Sequence, residues 1–167
     1  KTQLRSHPNV TWLTPAENLG FTGGANLGAK YLLDAYNVDT LVFVNSDAVV
    51  EKTAISALVE KLHKNPDNGA TTGKIVLYNQ PNIINSVGNP VHYSMLSWAG
   101  EYGRLAHEYK TCNHPTSICG AFFAVRADIW KQLEGFNPML FAYGEDVELS
   151  IRIRQLGKTI TYVPIAV

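Results

Sequence analysis

The sequence has no excess of charge of either sign and very little cysteine. Its 167 residues contain 14 Lys and Arg against 14 Asp and Glu, with two cysteines, Cys112 and Cys119. Balanced charge gives no long-range field toward nucleic acid or an anionic membrane surface, so nucleic acid is not an expected partner. Two cysteines fit neither a disulfide scaffold nor a zinc site of CxxC spacing. A reducing cytosol is the simplest location, and a single disulfide between them stays open.

Long apolar runs are also missing. No run approaches the roughly 20 residues that a membrane-spanning helix needs, and residues 1–8 do not resemble a signal peptide. We therefore expect no transmembrane segment and a cytoplasmic location, with peripheral attachment at the inner face of the membrane left open.

The chain has no internal repeat or linker, and its 46% hydrophobic content suits one core. Residues 1–167 are expected to form a single domain.

Hydrophobic patterning predicts an α/β fold. Residues 41–44 are apolar without alternation, which is typical of a strand covered on both faces, as in a parallel sheet with helices on each side. Helices are predicted from apolar spacing and from start and stop signals in the segments 25–36, 53–64, 127–134 and 145–157. Further strands are expected at 9–13, 70–78, 118–125 and 158–163.

Residues 79–115 show no clear periodicity and are rich in turn residues, among them the segment 88–90. We predict no helix there. The stretch carries four large apolar or aromatic side chains that either stack on a sugar ring or cover the core: Tyr93, Met95, Trp98 and Tyr102. The interpretation favours the core.

A glycine-dense segment, residues 18–28, precedes the first predicted helix. Glycines allow backbone amides to approach a ligand, and a helix N-terminus favours phosphate or other polar groups. The segment matches neither GxxxxGK[ST] nor GxGxxG, so the two common phosphate-binding fingerprints do not apply. From these residues alone, a binding loop and a tight turn with close helix packing are equally supported.

Polar residues follow directly on the predicted strand at 41–44. Asn45, Ser46 and Asp47 fall at its carboxyl end, which is where α/β sheets bind ligands. A carboxylate there is able to hold a hard divalent cation together with a substrate diphosphate. Asp is also a common helix cap or turn former, but the next predicted helix begins several residues later, which makes a capping role less apt.

The helix predicted at 145–157 begins with three carboxylates and ends at a glycine. Asp146 lies on the same stripe as Ser150, whereas Glu148 projects roughly 160° away, so Glu145, Asp146 and Glu148 cannot share one task. A carboxylate at a helix N-terminus, behind a glycine and an aromatic loop, is suited to take a proton from a bound hydroxyl. The alternative is that acids are common in any first helical turn.

Four blocks in order, residues 18–28, 41–47, 120–126 and 135–152, resemble the family 2 glycosyltransferases, especially the rhamnosyltransferase-like branch. The resemblance implies a GT-A fold, a Rossmann-like α/β sandwich. It also implies inverting transfer of a sugar from a nucleotide-diphosphate donor to a saccharide or lipid-linked saccharide, usually with Mg²⁺ or Mn²⁺, in cell-surface polysaccharide synthesis.

The resemblance also implies residue roles. Asp47 would bind the metal and the diphosphate, with Asn45 in place of the family's first acid, which leaves metal dependence less certain. Asp146 would be the catalytic base and Glu145 would lie on the acceptor side. The remaining donor-binding positions would be Asn18, Gly20, Gly23 and Asn26 near the nucleotide, Ser46 beside Asp47, and Gly120 near the donor sugar.

Two departures from the family pattern lead us to expect an internal portion of a longer enzyme, incomplete at both ends. The family's first nucleotide-binding strand and helix have no counterpart, residues 1–7 resemble the tail of a helix, and the histidine that often follows the last strand is absent. A non-catalytic nucleotide- or sugar-binding module of the same fold is the main alternative. A nucleotidyltransferase ranks last, because its basic glycine-rich loop is not visible.

Overall fold

The computed structural model describes residues 7–111 and 113–167. The helix tail expected at the amino end therefore lies largely outside the described residues, as does Cys112. In chain order the elements are α1 (Gly20–Ala35), β1 (Thr40–Val44), α2 (Ala54–Lys64), β2 (Asn68–Gly73), β3 (Ile75–Leu77), β4 (Gln80–Ser86), a 3₁₀ turn (Ala106–Glu108), β5 (Phe122–Arg126), α3 (Ala127–Gln132), α4 (Glu145–Gln155) and β6 (Thr159–Val163).

The central sheet has the strand order β1-β5-β2-β6. β5 pairs antiparallel with both β1 and β2, whereas β2 and β6 pair in parallel. Three of these strands therefore run in one direction and β5 runs against them. The expectation of a mostly parallel sheet is confirmed in this sense, but no local pattern predicts that the strand beginning at Phe122 is reversed.

One face of the sheet packs against three helices. Alternate residues of a strand point to opposite faces, and Phe123 and Val125 of β5 share a buried cluster with Ala29 of α1, Trp130 of α3 and Leu149 of α4. Aromatic contacts strengthen this layer. This face therefore carries α1 and α4, the two helices whose residues line the candidate site.

The opposite face packs against α2. Phe122 and Ala124 of β5 share a second cluster with Leu58 and Leu62, and those two leucines are fully buried. Helix α2 agrees with the predicted segment 53–64 to within one residue. The α/β architecture with helices on both faces of the sheet is thus confirmed.

The predicted strand at 70–78 is in fact two strands. β2 ends at Gly73, the amide of Lys74 donates to the Ala166 carbonyl at 2.7 Å, and β3 leaves the central sheet to pair with β4. The sequence does not predict β4, because Pro81 and Asn82 near its start are typical turn residues. The hairpin is held to the body by a small cluster that contains Ile84, Val87 and Tyr162.

Two other expectations are wrong. Residues 9–13 form no strand, and Trp12 in this segment is 52% exposed. The four large side chains assigned to the core in the 79–115 region are instead exposed, from 55% for Trp98 to 92% for Tyr93. They lie on or near a short hairpin whose ends are joined by the Val91 and Ser97 bridge.

Candidate functional site

The glycine-dense segment is helical rather than a loop. Helix α1 begins at Gly20, so most of residues 18–28 form its first turns. Gly20 has a φ of +67°, and a Cβ there would lie 2.4 Å from the Phe141 carbonyl oxygen. The Asn18 side-chain oxygen accepts a hydrogen bond from the Gly20 amide at 3.0 Å. Glycine is required here because the helix start packs directly on the loop that leads to α4.

Two of the expected donor-binding residues make close contacts within the fold. The Asn26 amide group donates to the Phe136 carbonyl and accepts from the Phe136 amide, each at 2.9 Å. Gly23 faces the Leu19 side chain, because a Cβ there would lie 2.8 Å from the Leu19 Cβ. Neither residue lines the hollow at the carboxyl end of β1, and their role in donor binding stays a prediction.

The carboxyl end of β1 opens into a hollow of about 550 Å³ between β1 and α1. Its wall is formed by Gly20, Phe21, Gly24, Ala25 and residues 43–47, which include Asn45, Ser46 and Asp47. Asp47 is exposed, and no hydrogen bond or ion pair engages its carboxylate within the described part of the chain. The Asn45 side-chain oxygen is buried and likewise has no protein partner there.

Asp146 lies in the first turn of α4 and is held by three donors. Its Oδ2 accepts from the Gly120 amide at 2.9 Å and from the Asn89 side-chain nitrogen at 3.1 Å. Its Oδ1 accepts from the Val147 amide at 2.8 Å. The preceding Gly144 has a φ of +88°, which lets the chain turn sharply into the helix.

Burial changes the acidity of both leading carboxyls of α4. It raises the pKa of Asp146, while hydrogen bonds from Gly120, Val147 and Asn89 work in the opposite direction. Burial also raises the pKa of Glu145, and the neighbouring charge of Asp146 raises it further. A carboxylate with a raised pKa is a better proton acceptor than one in water.

A second hollow, of about 320 Å³, surrounds Asp146. It is lined by Phe21, Asn45, Cys119, Gly120, Ala121, Ala142, Tyr143, Glu145 and Asp146. Phe21 and Asn45 also line the hollow beside Asp47, so the two spaces adjoin along these side chains. The sequence-predicted acids Asp47 and Asp146 therefore face adjoining parts of one cleft.

Two buried oxygens on this cleft have no partner among the described residues. They are the Oδ1 of Asn45 and the Oε2 of Glu145, and Glu145 is 93% buried by its relative exposure of 7%. An unpaired buried polar atom costs free energy unless a ligand or water satisfies it. These atoms suit a ligand that carries hydroxyl donors.

Glu148 does not take part in the cleft, as the helical geometry predicts. Its carboxylate pairs with Arg152 one turn on, at 2.6 and 2.8 Å. Arg152 also donates to the Leu133 and Gly135 carbonyls at 2.6 and 2.8 Å. This arginine ties α4 to the turn after α3 and keeps Glu148 away from Asp146.

A third hollow, also of about 550 Å³, lies between α1, β1 and residues 8–13. Apolar side chains dominate its wall and it contains no carboxylate. The cleft between β1 and α4, where acids, amides and unpaired oxygens meet, is therefore the candidate functional site.

A divalent cation at Asp47 would find oxygen ligands but few of them. No cluster of three or more His, Cys, Asp or Glu side chains suited to a metal exists within residues 7–111 and 113–167. Mg²⁺ and Mn²⁺ bound with a nucleotide need only one or two carboxylates, because substrate phosphates and water complete the shell. Asp47, with the unpaired Asn45 oxygen nearby in the chain, fits that requirement.

The sequence reasoning missed Asn89. The segment 88–90 has the pattern of a turn, and nothing in that pattern connects Asn89 with Asp146, which lies 57 residues further along the chain. No sequence signal predicts that Cys119 lines the Asp146 hollow. Its amide donates to the Thr72 hydroxyl at 3.1 Å, so the tertiary fold fixes its place.

Comparison with known proteins gives a consistent result. Residues 2–167 match the family model described as glycosyltransferase like family 2. The low-salt glycan biosynthesis hexosyltransferase Agl10 of Haloferax volcanii is 25% identical over 162 residues, which are 92% of this chain and 49% of the relative. The probable glycosyltransferase YdaM of Bacillus subtilis is 29% identical over 131 residues, 78% of this chain and 30% of the relative.

Solved structures share the fold. GalNAc-T7, crystallised with UDP, GalNAc and Mn²⁺, superposes with a TM-score of 0.68 at 17% identity, over 91% of this chain and 30% of that one. A197 from STIV superposes with a TM-score of 0.53 at 14% identity, over 81% and 59%. The expected GT-A fold is confirmed. The chain spans about half the length of the first curated relative and under a third of the second.

No helix in the described ranges is both long and apolar enough to cross a membrane.

Proposed function

This chain belongs to the glycosyltransferase-like family 2, and we propose that it transfers a sugar from a nucleotide-diphosphate donor to an acceptor hydroxyl with inversion at the anomeric carbon. The observation that carries the proposal is the cleft in which Asp47 and Asp146 face adjoining hollows that share Phe21 and Asn45. One acid is positioned for the donor and the other for the acceptor.

Asp146 acts as the general base. The acceptor hydroxyl gives its proton to the Asp146 carboxylate as its oxygen attacks the anomeric carbon, and the bond from that carbon to the diphosphate breaks on the opposite face. Three hydrogen bonds fix the carboxylate before substrate arrives. The main gains are positioning of acceptor against donor and proton removal.

The donor occupies the hollow beside Asp47, with Ser46 and Gly20 on its wall. Asp47, supported by Asn45, would hold a Mg²⁺ or Mn²⁺ ion. Such an ion, when bound, neutralises charge on the departing diphosphate. The Mn²⁺ and UDP in the GalNAc-T7 structure support this assignment by likeness of fold, and the substitution of Asn45 for an acid predicts weaker metal binding than a paired-acid site gives.

The sugar itself lies near Gly120. A Cβ at this position would lie 3.4 Å from the Asp146 Oδ2 and 3.5 Å from the Glu145 Oε1, so glycine leaves the floor of the hollow open. The unpaired oxygens of Asn45 and Glu145 accept hydrogen bonds from hydroxyls, with Glu145 on the acceptor side.

We further propose a hexosyl or rhamnosyl donor and a saccharide or lipid-linked saccharide acceptor in cell-surface polysaccharide synthesis. The name of the Haloferax relative, a hexosyltransferase of glycan biosynthesis, supports the hexosyl option. A lipid-linked acceptor would place the reaction in the cytoplasm at the inner face of the membrane.

The test compares two acids that both occupy a first helical turn. Asp146→Asn should lower sugar transfer by about 10²- to 10⁴-fold while donor affinity, measured by calorimetry with UDP-, GDP- and dTDP-sugars, stays within about twofold. Asp128→Asn is the matched control, because Asp128 opens α3, accepts from the next amide at 2.9 Å and is exposed. It should leave transfer unchanged.

Full turnover by Asp146→Asn would remove this residue from the role of base. Donor binding without transfer by the wild-type protein, across the whole panel, would favour the non-catalytic binding module instead.

A further inference from the structure

Asn89 reaches the proposed base from a separate part of the fold. Its side-chain nitrogen donates to the Asp146 Oδ2 at 3.1 Å. The other two donors are main-chain amides. Val147 belongs to α4 itself, and Gly120 belongs to the segment before β5. Asn89 is thus the one side chain that hydrogen-bonds the Asp146 carboxylate in the described part of the chain.

The Asn89 side chain is itself fixed on several sides. Its backbone forms a two-way pair with Ser117, with both N to O distances at 3.0 Å. Its side-chain oxygen accepts from the Ser86 hydroxyl at 3.0 Å, and Ser86 is fully buried. An ionised carboxylate only accepts hydrogen bonds, so the Asn89 amide must turn its NH₂ toward Asp146. The Ser86 contact favours the same orientation.

We propose that Asn89 is a positioning residue for Asp146: its side-chain amide fixes the carboxylate against the Gly120 amide and stabilises the negative charge that proton removal requires. The inference rests on the proposed role of Asp146 as base. With Oδ2 occupied by two donors and Oδ1 by the Val147 amide, the carboxylate has a defined rotamer before any substrate binds.

Electrostatics agree with this geometry. Burial raises the pKa of Asp146, and the hydrogen bond from Asn89 is among the contacts that lower it. The other titratable side chains that face the carboxylate are Glu145 on the same helix, Cys119 before β5 and Tyr143 in the preceding loop. None of these is a cation, so hydrogen bonds are what favour the ionised form.

The direct test measures Asp146 without relying on catalysis. The ¹³C carboxyl signal of Asp146, assigned by its loss in Asp146→Asn, is titrated in wild type, Asn89→Ala and Asn89→Asp. Removing one donor should raise the Asp146 pKa by about one unit, and the second carboxylate in the isosteric Asn89→Asp should raise it further. Asn82→Ala, on the exposed start of β4, is the control and should leave it unchanged.

The kinetic arm follows nucleoside diphosphate release from UDP-, GDP- and dTDP-sugars as a function of pH. Asn89→Ala should lower kcat about 10- to 100-fold at the wild-type optimum with KM for the donor within about twofold. Because the base must be ionised, the acidic limb of the profile should move to higher pH, and raising the pH should restore part of the activity. A merely structural defect would not recover in this way.

The outcomes separate the two proposals. An unchanged Asp146 pKa and unchanged kcat in both Asn89 variants, beside an inactive Asp146→Asn, would overturn the role of Asn89 and leave the proposed function standing. A raised Asp146 pKa in both variants, beside an active Asp146→Asn, would confirm the contact and refute Asp146 as base.

Discussion

Asp146 and Asp47 face adjoining parts of one cleft, but the fold holds them in opposite ways. Asp146 is largely buried and receives three hydrogen bonds from the protein. Asp47 is exposed at the end of β1 and no described protein group binds its carboxylate. Under the proposed function, this comparison means that the base is organised before substrate arrives, whereas the diphosphate site would be completed by the substrate and its counter-ion. Substitutions near the two acids should therefore have different consequences.

The largest effect is expected from crowding the Asp146 side. A Cβ added at Gly120 would lie 3.4 Å from Asp146. Gly120→Val adds further atoms beyond that Cβ, so the carboxylate must move and the hollow is filled. We expect transfer to fall by at least about 100-fold, consistent with loss of a positioned base. Nucleoside diphosphate release from the donor panel is the measurement.

Gly28→Ala is the matched control for this change. A Cβ at Gly28 meets nothing within 4 Å, and alanine in a helix interior stabilises by up to about 1 kcal/mol over glycine. Activity at the wild-type level in Gly120→Val would contradict the view that the Asp146 region is tightly organised.

A smaller effect, on stability, is expected at the arginine that anchors α4. Arg152→Met leaves Glu148 and the carbonyls of Leu133 and Gly135 without their donor. Because this pair is largely shielded, with 23% and 30% of the side chains exposed, we expect a loss of about 2–3 kcal/mol in the free energy of unfolding. Urea denaturation measures it.

The exposed pair Lys30 and Asp34 supplies the comparison. It has the same i, i+4 spacing at 2.8 Å, but its side chains are 74% and 64% exposed. Lys30→Met should change stability by no more than about 0.5 kcal/mol. Equal losses at both pairs would show that burial of Arg152 contributes nothing.

The smallest effect is the dependence of stability on pH. Burial raises the pKa of Asp146 in the folded chain, so the protonated form is favoured by folding. Its contribution to stability is fully present below the unfolded pKa of about 4 and is lost as pH rises through the folded pKa. Each unit between the two values corresponds to about 1.4 kcal/mol. Urea denaturation from pH 3.5 to 7 should show Asp146→Asn gaining stability relative to wild type as pH rises.

Asp47→Asn is the reference for that measurement, because its carboxylate is exposed and has no partner in residues 7–111 and 113–167. Its stability should stay within about 0.5 kcal/mol of wild type. If the free energies of unfolding of Asp146→Asn and wild type differ by the same amount across the pH range, burial does not destabilise the ionised form of Asp146.

Several features of the fold could be read from local patterns. The unbroken apolar run at 41–44 predicted β1, and the acids and glycine around 145–157 predicted α4 nearly to its ends. The resemblance placed Asp47 and Asp146 among the site residues, and the structure brings them to one cleft. Such signals succeed because a strand covered on both faces and a charged helix start depend on short stretches of sequence.

Other features could not be predicted because they depend on distant partners. No local pattern shows that Phe136, 110 residues away, engages both ends of the Asn26 amide. The turn residues of β4 concealed a strand that exists only because β3 pairs with it. The large side chains of the 91–98 hairpin looked like core and are exposed, since no neighbouring element covers them in the described structure.

By itself the sequence determined which segments form α4 and β1, and that acids stand at the start of one and the end of the other. The tertiary structure alone decided that β5 runs against its neighbours, that Arg152 reaches the carbonyls of Leu133 and Gly135, and that Asn89 reaches Asp146. Helix starts and apolar strands are set by interactions within a few residues. The orientation of a carboxylate in a cleft is set by which distant donors the packed sheet and helices bring within hydrogen-bond distance.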